Sequence, residues 1–137
     1  ERANGERESL GWFSNVFTNA GKEALEQIFA NQVSYGNFTY IGLCNLTAGC
    51  TADATDTAID NEYAASGLSR AAGVYSNIGT GNWSIYKQFT ATATATTNMT
   101  GLLNQSSGGT LLAVVLFTDV TLQANDKLDI NWTCTAT

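Results

Sequence analysis

Four carboxylates crowd one short stretch of the chain: Asp53, Asp56, Asp60 and Glu62. Several oxygens from a single loop are what a hard cation such as calcium takes, so these four are the candidate metal ligands. Their spacing fits no EF-hand, and a solvated acidic loop is the simpler reading. As a hydrolytic pair they lack any neighbour that marks one carboxyl as desolvated. The chain has no histidine, which removes the usual base of Ser and Cys nucleophiles and a common ligand of zinc. The Gly-rich run at 106–110 lacks the lysine of a phosphate loop and reads as a hairpin turn. The expectation is no catalytic residue and no cofactor, with calcium at the acidic loop the one candidate.

Covalent modification of asparagine is better represented. The acceptor triplet Asn-x-Ser/Thr occurs six times, at Asn37, Asn45, Asn82, Asn98, Asn104 and Asn131. Random order of the same composition would give about 2.7. N-glycans are bulky and solubilising, and they belong to surfaces that face outside the cell. All six are candidate glycan acceptors, and the expected setting is extracellular.

Composition points the same way. At 137 residues the chain is long enough for one domain with one core. Only 13% of its residues are charged, against about 25% in ordinary soluble domains. The net charge is −6, and Arg2, Arg7, Lys22, Arg70, Lys87 and Lys127 are scattered, so no basic patch exists for nucleic acid. Solubility then rests on Thr, Ser, Asn and sugar, which suits a subunit whose surface is spent on neighbours. No apolar run approaches the length of about 20 residues that spans a bilayer, and no membrane insertion is expected. The first residue is Glu1 rather than Met, as removal of a leader would leave it.

Three cysteines permit one disulfide and one leftover thiol. Cys44 with Cys50 would close a small loop after a strand. Cys44 with Cys134, joining the first and last strands, is the rival.

These groups must be positioned by a chain whose hydrophobic period changes along its length. Residues 1–8 are polar and read as an arm. Leu10, Trp12, Phe13, Val16 and Phe17 follow as a cluster. Two readings stand for it: the first strand of its own domain, or an inter-subunit segment that completes a neighbour's sheet or groove in donor-strand fashion. A helix over about 19–33 comes next, capped by Thr18 or Asn19, with Ala24, Leu25, Ile28 and Phe29 on one stripe.

From residue 37 onward the period is two. Trp83, Ile85, Phe89, Ala91, Ala93 and Ala95 share one parity, interrupted by Lys87 as at a bulge or sheet edge. Ile130, Trp132 and Cys134 face inward in the last strand, which sends Asn131 outward, as the same logic sends Asn82 and Tyr86. Trp83 reads as core, and Tyr86 as free for a ligand or partner. In 38–43 and 111–117 both parities are apolar, so those strands are covered on both faces. The helix supplies one cover and a neighbouring subunit is the candidate for the other. Dense turns after a single helix predict a mainly β domain over 18–137, an antiparallel jelly-roll-like β-sandwich, with residues 1–17 as its N-terminal arm.

Ordered phrases run through that domain: Thr18-Asn-Ala-Gly21, Tyr40-Ile-Gly-Leu43, Asp56-Thr-Ala-Ile59, Leu68-Ser-Arg-Ala71, Phe89-Thr-Ala-Thr92, Gly101-Leu-Leu-Asn104, Ser107-Gly-Gly-Thr-Leu-Leu-Ala113 and Asp126-Lys-Leu-Asp-Ile-Asn-Trp-Thr133. In this order they resemble the small tail-fibre and virion structural proteins of tailed phages and related archaeal viruses, over about nine-tenths of the chain. The resemblance implies a β-sandwich structural domain without catalytic residues. The sequons, the Cys44/Cys50 pair and the N-terminal arm depart from that family. The expected function is therefore a subunit that assembles with itself, head to tail, into an extracellular glycosylated filament. The alternative is a virion tail-fibre module that binds host-surface glycan.

Overall fold

The computed structural model describes residues 1–31 and 33–136. The chain is mainly β, with two antiparallel sheets and one α-helix among the described residues. Strand β1 (Val16–Phe17) leads directly into helix α1 (Asn19–Ala30), and Thr18 between them ties the two together. Its hydroxyl accepts from Gly21 N at 2.9 Å as the N-cap and donates to the Leu111 carbonyl. At the other end Asn31 still donates its N–H to Gln27 O but has left the helical conformation, with φ −122° and ψ 5°, and the helix ends at Ala30, short of the expected residue 33.

The buried face of α1 is narrower than the sequence stripe. Gly21 and Ala24 are buried and Leu25 and Ile28 half-buried, whereas Phe29 is 82% exposed. The cause is a close approach to strand β7 (Leu111–Leu122): a Cβ on Gly21 would sit 2.3 Å from the Leu112 carbonyl oxygen. With Gly21 setting the line of contact, Phe29 lies roughly 80° round the helix and misses the core.

The larger sheet runs in the order β1, β7, β6 (Ala95–Leu103), β2 (Tyr40–Leu43), β3 (Ala71–Ala72). The smaller runs β4 (Val74–Gly79), β5 (Asn82–Thr90), β8 (Lys127–Thr135). The run read as one strand over 82–96 is thus two, in different sheets. Its alternation of Thr with Ala or an aromatic passes unchanged through a turn, where Ala91 N donates to Asp126 O and Ala93 is exposed. No bulge occurs at Lys87, whose pairing with Ile130 is continuous. Its amine instead lies 6.0 Å from the Phe89 ring centroid, keeping the cation on an aromatic surface.

Side chains from both sheets meet in one buried cluster, with Ile41, Leu102 and Phe117 from the larger and Ile85, Phe89 and Trp132 from the smaller. A second cluster gathers Met99, Leu103, Leu111 and Val114 with Cys44 and Ile59. The chain's own segment 44–63 thus covers the further apolar face of β2, β6 and β7, where the sequence suggested a neighbouring subunit. Gly42 and Gly101 are register partners and leave a notch there. A Cβ on either would come within 2.8 Å of the Ile59 Cδ1 atom.

Candidate assembly groove and glycan acceptor sites

The N-terminal arm crosses from one sheet to the other. At its start Glu1 and the free edge of β8 exchange two backbone bonds, Glu1 N to Lys127 O and Lys127 N to Glu1 O, both 2.7 Å. At its end Val16 and Phe17 pair with Val114 and Ala113 of β7. Beyond Val114 this edge of β7 has no strand partner among the described residues, and neither does the outer edge of β8. The arm therefore lies over the opening between two unpaired edges.

A groove of about 360 Å³ follows this opening, lined on the domain side by Val115, Phe117, Ile130 and Trp132. Leu10 and Phe17 pack half-buried against the core that these residues form. Phe13 stacks obliquely on Phe117, with centroids 6.4 Å apart. Trp12 stays 82% exposed. The five residues expected to act between subunits thus divide: Val16 and Phe17 complete the chain's own sheet, Leu10 and Phe13 form the arm-side wall of the groove, and Trp12 lines the same wall while staying largely exposed to solvent. Trp132 Nε1 is buried without a hydrogen-bond partner among the described residues.

Asp126 latches the arm. Its carboxylate accepts from Gln123 N at 2.9 Å, Ala3 N at 2.7 Å and Arg2 Nη1 at 3.1 Å. These donors, Gln123 and Ala3 first, hold the Asp126 carboxyl below the usual carboxylate range. No periodicity announces this residue, because it sits in a turn between β7 and β8.

The six sequon asparagines differ in how free their amides are. Asn37 and Asn131 are exposed and make no side-chain hydrogen bond among the described residues. Asn45 caps a short 3-10 turn (Leu46–Ala48), accepting from its own sequon's Thr47 at N and at Oγ1, the latter at 2.6 Å. Asn82 donates to Thr80 O, and Asn98 to Asp119 Oδ1 at 3.0 Å. Asn104 is 8% exposed, with its amide donating to Tyr35 O and accepting from Thr110 N at 2.7 Å. It closes the β6–β7 turn, and a glycan there would sit on a buried nitrogen that already donates to Tyr35 O.

On the outer face of the smaller sheet, Asn131 stands directly across from Tyr86. The Tyr86 hydroxyl donates to Asp129 Oδ1 at 2.7 Å, and Gln88 Nε2 donates to the same oxygen at 2.9 Å. Partial burial works to raise the Asp129 carboxyl, but these donors outweigh it and the group lies below its usual range. Its bond to Asp129 in turn raises the Tyr86 phenol.

The four clustered carboxylates do not converge. Asp53 and Asp56 close a local turn, with Asp53 N donating to Asp56 Oδ2 at 2.8 Å. Asp60 accepts from Thr51 N and Oγ1, and Glu62 pairs with Arg70. Among the described residues no three such side chains form a metal-holding group. Arg70 was a scattered charge in the sequence; here it grips both Glu62 oxygens, at 2.7 and 2.6 Å, and donates to Gln105 O and Gly108 O. Cys44 and Cys50 form the disulfide, leaving Cys134 free with its thiol pushed up by burial. Ser84-Ile-Tyr-Lys87 has the spacing of a serine–lysine pair, but residues three apart on a strand point to opposite faces.

The chain matches no known family model and no curated protein.

Proposed function

We propose that this chain is a structural subunit, built as a jelly-roll-like sandwich, that polymerises head to tail into an extracellular N-glycosylated filament. The observation that carries the reading is the arm. An apolar segment, Leu10 with Phe13, walls one side of an open groove that runs between two unpaired strand edges. A groove with free edges on both sides accepts an extended segment equally well from its own chain or from the next copy. Gly11, with φ +90° and no atom near a prospective Cβ, offers an unhindered turning point at which the arm can redirect. A repeated contact of this kind is open-ended and yields a fibre. Low charge and exposed Val74, Tyr75 and Ile78 on edge strand β4 suit a surface spent on neighbours.

The resemblance to small phage and archaeal-virus fibre proteins supports the same class and supplies the alternative, a virion module that binds host glycan. Electron microscopy of native material, beside a variant lacking residues 1–15, tests the proposal. Long homopolymers that vanish with the deletion are the expected result. Isolated monomers or closed trimers in the intact chain overturn it and leave the glycan-binding fibre module.

A further inference from the structure

We infer that Asn131 and Tyr86 together form a glycan seat, in which the sugar attached to Asn131 rests its first pyranose ring on the Tyr86 side chain. The inference rests on the proposed glycosylation and goes beyond it by naming one favoured acceptor and its platform. Four of the six sequon amides are already engaged: Asn45, Asn82 and Asn98 through one end, Asn104 through both. Among the described residues the acceptor nitrogen Nδ2 is unbonded at Asn37, Asn45 and Asn131; Asn37 and Asn45 lie outside any strand, whereas Asn131 is held in β8.

The sequon itself is anchored there. Trp132, between acceptor and hydroxyl residue, is 5% exposed and belongs to the core. Burying it turns both Asn131 and Thr133 to the opposite face, since residues two apart on a strand share a side. Tyr86 is the direct cross-strand partner of Asn131, and such partners carry Cβ atoms about 5 Å apart. Its side chain is 40% exposed and fixed at the hydroxyl by Asp129. An amphipathic ring tied at its polar tip keeps an apolar surface available at little entropic cost. The apolar C–H face of a pyranose is complementary to that surface.

Formation of the linkage needs an activated sugar, here a lipid-phosphate-linked glycan, and a transferase. The Asn131 Nδ2 atom bonds to the anomeric carbon, the anomeric C–O bond breaks, the phosphate departs with its electron pair, and the amide loses one proton.

Two measurements test the inference. Site-resolved mass spectrometry of native protein should find sugar on Asn131. Thermal melts of wild type and Tyr86→Ala, each made with and without an N-glycosylation pathway, should show a Tm loss larger by about 3 °C in the glycosylated pair. Asn131→Gln should erase that difference, and Tyr86→Phe should retain it. Sugar on other asparagines with Asn131 bare overturns the seat alone. A bare mass at all six removes the glycosylated reading as well. Sugar on Asn131 with equal Tm losses in both pairs overturns the stacking.

Discussion

Phe13 and Phe117 meet with ring centroids 6.4 Å apart and planes inclined by 54°. One ring belongs to the arm and the other to the middle of β7. Their contact joins the polar N-terminal segment to the main core, and it is the natural place to separate folding from assembly. Phe117 is buried, so Phe117→Ala should cost about 3–5 kcal/mol of domain stability. Phe13 is 40% exposed, and Phe13→Ala should cost roughly 1 kcal/mol. Under the filament proposal, Phe13→Ala nevertheless shortens or abolishes polymers while leaving a folded subunit. Denaturant melts beside micrographs read the two effects apart.

The Asp126 latch makes arm attachment dependent on pH. The folded-state carboxyl lies below its ordinary value, so its contribution is present above the unfolded value of about 3.9. It is lost as pH falls through the lowered folded value. The arm should stay docked at pH 5 and above and loosen below about pH 4. Exchange of the Ala3 amide proton reports this directly, because that proton is held by Asp126 Oδ1. In Asp126→Ala, fast Ala3 exchange should appear already at neutral pH.

Arg70 ties Glu62, in the connection before it, to the β6–β7 turn at Gln105 and Gly108. Its side chain is almost wholly covered, and truncation leaves the partly covered Glu62 carboxylate without its partner. Arg70→Ala should lower unfolding stability by about 2–4 kcal/mol. Arg70→Lys should recover little of it, since an ammonium cannot reproduce the two-pronged grip. Urea titration gives both values.

Cys44 and Cys50 close a loop with a sequence separation of 6. Chain-entropy arithmetic for so short a loop gives about 2 kcal/mol, the expected loss in the Cys44→Ala/Cys50→Ala double variant. The free thiol behaves differently. Burial raises the Cys134 thiol above its ordinary range, which leaves little reactive thiolate at mildly alkaline pH. Alkylation at pH 8 should label one thiol per chain, slowly when native and quickly in denaturant.

Local pattern was enough for much of this architecture. Thr18 before an apolar helical stripe, the inward set Ile130, Trp132 and Cys134, and the turns at 79–81 and 106–109 are all visible to neighbouring residues alone, because caps, pleats and turns depend on a few consecutive side chains. The sequons and the cysteine spacing were legible for the same reason.

Pairing across the chain was not. The Thr-Ala run through residue 96 alternates identically in a strand and through a turn, so only pairing with distant strands, β8 before the turn and β7 after it, divides it between two sheets. Phe29 belongs to the stripe by period, yet the close approach of Gly21 to Leu112 decides which face is buried. Ile59 covers a sheet face only because Gly42 and Gly101 align in register and leave it room. Asp126 as a latch, Arg70 as a tie and Tyr86 opposite Asn131 are long-range facts of the same kind. Sequence alone determined a mainly β chain with a capped helix, an apolar arm and six acceptor triplets. Tertiary structure decided where the arm lies and which amides are free, because both depend on strands brought together from distant parts of the chain.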